Sequence, residues 1–191
     1  MAEQPQRTGR VQVVLIATVF FGPLLLAAWL YYGGSFFQPA GRANHGALLE
    51  PIVNIVDEVP ATRLYPAHDG KWLLLYQHDG ACLKECREAL YTIRQLRLML
   101  GREMERVVRI FLHDDTPLDT VFPDAEHEGL VTLNDPATSA LIKSKKPGEL
   151  QAGGYYLVDP QGNLVMYFHA GLPAGEIVDD IKRLLRLSRI G

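Results

Sequence analysis

Hydrophobic positions change period several times along this chain, and each change predicts an element. Val11 to Tyr32 is a run of twenty-two residues without a charge, long enough as a helix to cross a hydrocarbon core of about 30 Å. Gly22-Pro23 interrupts it, which a membrane helix tolerates better than a soluble one. Trp72 to Tyr76, bounded by Gly70 and Gly80, is a continuous apolar run, the pattern of a strand covered on both faces. A helix is predicted to begin near Cys82, and from Cys86 onward the spacing is helical. Leu90, Ile93, Leu96, Leu98 and Leu100 recur there, with Arg94 and Arg97 between them. Arg106 to Leu112 reads as a second strand, ended by His113-Asp-Asp-Thr-Pro117. Leu130 to Leu133 predicts a short strand and Pro136 to Ser144 a short helix capped by Asn134 or Asp135. Tyr155 to Val158 and Leu164 to Phe168, joined by Asp159-Pro-Gln-Gly162, form a strong hairpin pattern. The chain closes on an amphipathic helix from Ala174 or Gly175 to Ile190, with Ile177, Ile181, Leu184 and Leu185 opposite Lys182, Arg183 and Arg186.

That order, strand, cysteine-bearing helix, strand, helix, hairpin, helix, predicts a thioredoxin-like α/β domain. A central mixed sheet would carry helices on both faces, parallel at first and antiparallel at the hairpin. One N-terminal transmembrane helix precedes it. The expected organisation is residues 1–10 as a cytoplasmic N-terminus, 11–32 as the anchor, 33–45 as a linker and 46–191 as the domain. Gly, Pro and Asn scattered through residues 33–68 predict the linker and an irregular or hairpin lead-in. A cleaved signal peptide is the rival for the apolar run, but that run exceeds the usual 7–15-residue core, and Trp29-Leu-Tyr-Tyr32 resembles an interfacial belt. Arg7 and Arg10 precede it and no Lys or Arg follows until Arg42, so the positive-inside rule leaves the N-terminus cytoplasmic. In a bacterium this is a single-pass inner-membrane protein with its C-terminal domain in the periplasm, where disulfides are permitted. A net charge of −3 without a Lys/Arg-rich run gives no sign of nucleic-acid binding.

The two cysteines, Cys82 and Cys86, are the only ones in the chain and fall at a strand-to-helix junction. Backbone N–H groups at a helix start favour a thiolate, which is both nucleophile and metal ligand. A disulfide across so few residues removes little chain entropy and is a poor staple. The pair therefore reads as a redox dithiol, as a metal-handling site or, more blandly, as a structural bridge. His78, four residues before Cys82, can reach the pair, although a solvent-facing loop histidine is its plain reading. His113 ends the second strand at the sheet edge where α/β sites collect. His169 follows the hairpin. His45, His68 and His127 have no argument behind them. Arg94, Arg97, Arg102, Arg106 and Arg109 read as a solvated helix face and strand ends. Asp114-Asp115 reads as a structure-ending turn. No nucleophile elbow, phosphate-binding glycine loop or second metal-ligand cluster is present in the sequence.

Gly70-Lys-Trp-Leu-Leu-Leu-Tyr76, followed by Cys82-x-x-x-Cys86, resembles the SCO/SenC proteins, thioredoxin-fold copper chaperones of cytochrome c oxidase. Asp114-Asp-Thr-Pro117, Tyr156-Leu-Val-Asp-Pro-Gln-Gly162 and the single anchor agree. Leu90 to Gly101 with Arg106 to Leu112 is similar to a bacterial SCO-like branch associated with cytochrome oxidase assembly genes. The likeness spans roughly residues 44–190. It implies a membrane-anchored assembly factor working through Cys82 and Cys86, either as a thiol–disulfide reductant of the oxidase copper site or as a Cu(I) chaperone. Its partner would be an oxidase subunit or another copper or thiol assembly factor. The alternative is a structural accessory protein of the oxidase complex. The likeness breaks at one ligand. Gln151 stands where copper-binding members carry a histidine, and an amide is a poor Cu(I) donor beside two thiolates. Cys82, Cys86 and His78 are then the expected metal ligands. No proline precedes Tyr155, so the cis-proline of ordinary thioredoxins is also missing.

Overall fold

A computed structural model describes residues 7–32, 44–64, 70–114, 126–150 and 153–188. The chain divides into two compact units, residues 1–42 and 43–191. In the first, helix α1 runs Arg7–Tyr32 and carries Pro23 inside it. Its span Val11–Trp29 is long and apolar enough to cross a membrane, and none of that span is buried within the protein.

The second unit is built on a six-stranded sheet in the order β1-β6-β5-β2-β3-β4. The strands are β1 Ala47–Asn54, β2 Trp72–His78, β3 Val107–His113, β4 Leu130–Asn134, β5 Tyr155–Val158 and β6 Asn163–Phe168. β2, β3 and β4 are parallel neighbours, while β5 and β6 form the expected antiparallel hairpin beside β2. The helices are α2 Ile55–Glu58, α3 Lys84–Met99, α4 Pro136–Lys145 and α5 Ala174–Leu187. A 3-10 turn over Gly101–Arg106 leads from α3 into β3.

The strict alternation of β2 explains both layers. Trp72, Leu74 and Tyr76 pack with Cys86, Leu90, Ile93 and Leu96 of α3 and with Ile177, Ile181 and Leu185 of α5. Leu73 and Leu75 face the other side, against Ile55 of α2 and Ile142 of α4. Both faces of the strand are dry, which is why its sequence is apolar without a break.

Several boundaries differ from the sequence reading. α3 begins at Lys84, because Leu83 is extended and serves as the N-cap, so Cys82 lies outside the helix. β2 and β3 both run on to a histidine, since parallel pairing continues through His78 and His113. Asp135 is the cap of α4 and accepts from the Thr138 N–H. α5 stops at Leu187 rather than Ile190, where Ser188 turns extended. The lead-in is a full edge strand, β1, whose register shifts between Leu48 and Val53 around Pro51. Proline has no N–H to donate to a ladder and is confined to edge strands and bulges for that reason. Arg109, expected in solvent, is buried, at 3% exposure.

Candidate functional site

Cys82 and Cys86 are joined in a disulfide, with 5.1 Å between their Cα atoms. The loop after β2 turns at Gly80, whose φ of +83° suits glycine. The Gly80 N–H donates to both carboxylate oxygens of Asp114, at 3.2 and 3.1 Å. That contact ties the cysteine loop to the end of β3 and gives Asp114 the structural role its turn suggested. Lys143 of α4 pairs with Asp79 on the far side of the loop.

The two sulfurs have different surroundings. Cys86 lies on the inner face of the first turn of α3 and is 1% exposed. Cys82 is half-buried against the same core, so a partner's sulfur reaches Cys82 first. No side chain caps α3, and its first-turn N–H groups are left to favour a thiolate beside them. Glu85 in that turn acts against this effect.

Two buried phenols, Tyr76 and Tyr155, share the core cluster of the cysteines. Burial, with help from nearby Tyr155 and Glu85, pushes the Tyr76 hydroxyl up to about 12. Burial raises Tyr155 as well, against the lowering effect of a hydrogen bond with Thr92. Both phenols therefore stay neutral in that core at any physiological pH. The sequence reading placed them only in strands, because an apolar run does not say which of its members shares a cluster with the cysteines.

His78 and His113 are register partners on β2 and β3, on the face that carries α3. Their rings follow Tyr76 and Phe111, with centroids 6.1 and 5.7 Å away. His78 Nε2 donates to the Ala81 carbonyl at 3.3 Å and His113 Nδ1 to the Asp114 carbonyl at 2.6 Å. A carbonyl can only accept, so in each neutral ring the other nitrogen holds the lone pair. His169 ends β6 at the same sheet edge, two strands from β2, and accepts from the Gly171 N–H. His45 pairs with Glu176. His127 is buried near Arg109. Gln151, His68 and Asp115-Thr-Pro117 lie outside the described residues. Among the described residues, no three His, Cys, Asp or Glu side chains are arranged to hold a metal ion. A disulfide also has no thiolate to offer, so these sulfurs fit Cu(I) only after two-electron reduction.

Gly154 explains the absent proline. A Cβ there would lie 2.1 Å from the Phe168 carbonyl and 2.6 Å from the Tyr167 hydroxyl. The Gly154 N–H donates to that hydroxyl. Proline would bring the clash and lose the donor.

A family model described as transmembrane-like, thioredoxin-like, C-terminal domain matches residues 72–188, and its transmembrane-like N-terminal counterpart matches residues 3–34. The chain belongs to this family. No curated protein matches it. Its structural neighbours include Sco proteins of thioredoxin-like fold. The copper-bound ScoI of Arabidopsis thaliana is 19% identical with a TM-score of 0.52, covering 65% of this chain and 89% of that one. The copper-bound Sco1 of yeast is 17% identical with a TM-score of 0.51, covering 65% and 81%. Likeness at that identity establishes the fold.

Proposed function

We propose that this protein is a membrane-tethered thiol–disulfide reductant for the copper site of cytochrome c oxidase, acting through Cys82 and Cys86. The tether is residues 11–32, joined by a linker over 33–45 to a periplasmic domain from residue 46. The N-terminus lies in the cytoplasm of a bacterial cell. The observation that carries the reading is the bridge itself, with one sulfur reachable and the other buried. In the dithiol form, the Cys82 thiolate attacks a partner disulfide, forming a mixed disulfide and releasing one partner thiolate. The Cys86 thiolate then attacks Cys82 Sγ. The second partner thiol leaves, and the Cys82–Cys86 bond of the present structure forms. Two electrons pass to the partner, whose cysteines can then take metal. An upstream dithiol protein must re-reduce the pair.

A second reading is favoured by His78 and His113 standing in register at the same sheet edge. The reduced pair would carry Cu(I) as cargo for the oxidase subunit, with His78 supplying the imidazole that Gln151 does not.

Both are tested on the full chain in detergent. Cys86→Ser, expressed in cells, is expected to trap an oxidase-subunit adduct that Cys82→Ser/Cys86→Ser does not form. Under anaerobic Cu(I) titration, one equivalent retained by the reduced protein and lost in the double variant would establish the cargo reading. If the double variant assembles oxidase as well as the wild type, the cysteines are structural and both readings fail.

A further inference from the structure

Among the described residues, one buried charge away from the cysteines is poorly satisfied. Arg109 projects from the middle of β3 toward α3, and its Nη2 donates to the Glu128 carbonyl. Its Nε and Nη1 are buried and find no acceptor among the described residues. A buried guanidinium so incompletely paired is costly, and a fold that keeps one calls for a reason. The side chain lines a cavity of about 320 Å³ together with Arg94, Arg97 and Leu98 of α3 and with Glu128 and Gly129 before β4. Arg94 makes no hydrogen bond or ion pair to a described residue. Arg97 is partly engaged, Nε donating to the Val107 carbonyl at 2.8 Å and Nη2 lying 3.5 Å from Glu105. Three arginines from two elements thus line one cavity, with the Glu105 carboxylate beside Arg97 and the Glu128 carbonyl on Arg109. Burial, then the Arg97 and Arg94 charges, lower the Arg109 pKa. Burial, then the Arg109 charge, lower that of His127 next to it; Glu126 opposes them, and Arg94 adds a smaller push downward. Burial leads both shifts, and the neighbouring guanidinium charges add a repulsion that a bound anion would relieve.

We propose that the Arg94–Arg97–Arg109 cavity is an oxyanion site that takes a phosphate group. A planar carboxylate is satisfied by one guanidinium fork, whereas the remaining N–H donors from three separate guanidinium groups suit a tetrahedral group with several acceptor oxygens. Inorganic phosphate and the headgroup of an anionic phospholipid present the same chemistry. The site is independent of the cysteine pair.

The test is calorimetric titration of the full chain in a non-ionic detergent. One arm uses inorganic phosphate and the other a short-chain phosphatidylglycerol. Saturable one-to-one binding is expected in at least one arm, and the tighter arm names the source. Arg94→Gln, on an exposed residue, is expected to weaken it by about tenfold or more. Arg102→Gln, exposed and outside the cavity, is expected to leave it unchanged. No saturable binding in either arm, or equal weakening by both variants, would overturn the proposal.

Discussion

At the residue scale, the two cysteines are chemically unequal although the sequence presents them as a symmetric pair. In the reduced full chain, Cys82 is expected to be alkylated by iodoacetamide more than about tenfold faster than Cys86, as read by mass spectrometry. Faster modification of Cys86 would reverse their roles as nucleophile and resolving thiol. Asp135 is a second case. Burial opposes its charge, but donors from Arg63, Thr138 and Thr62 outweigh that and hold its pKa below the usual carboxylate value. The folded-state pKa is depressed, so the stability contribution is present above the unfolded-state value and fades as pH falls through the folded one. Asp135→Ala should cost about 2–4 kcal/mol at neutral pH, from the lost cap and the unpaired donors around it. The gap from the wild type in thermal unfolding should narrow progressively below about pH 4. A gap independent of pH would mean that the carboxylate charge is irrelevant. Sequence reasoning found the cap but not the network, since Thr62 and Arg63 lie more than seventy residues away in the chain.

Among elements, the β5–β6 hairpin is the most local and was the easiest to read. Its turn is held by Asp159, which accepts from the Gln161 and Asn163 N–H groups. What precedes it was opaque. Gly154 looks like loop punctuation in the sequence, yet the β6 backbone and the Tyr167 ring occupy the space its side chain would need. Gly154→Ala should therefore destabilise the domain by about 1–3 kcal/mol through overpacking, measured by denaturant unfolding. A neutral result would show that the hairpin shifts freely. β1 was blurred for a comparable reason. Its pairing depends on β6, more than a hundred residues later, and Pro51 hides the alternation.

For the molecule as a whole, the anchor and the domain are separable predictions. The full chain should stay in the membrane fraction after alkaline carbonate extraction, and deletion of residues 1–32 should release it. Release of the intact chain by carbonate would argue against a spanning helix. What the sequence by itself determined is what short-range pattern controls. The apolar span, the periods of β2, β3, α3 and α5, the hairpin, and the cysteines at a strand-to-helix junction all follow from neighbouring residues. Only the tertiary structure decided which sulfur is buried, that Asp114 ties down the cysteine loop, that His78 and His113 share a register, and that Arg109 turns inward. Each of these depends on which strands become neighbours. Pairing across long separations is set by the packing of the whole sheet, not by local propensity.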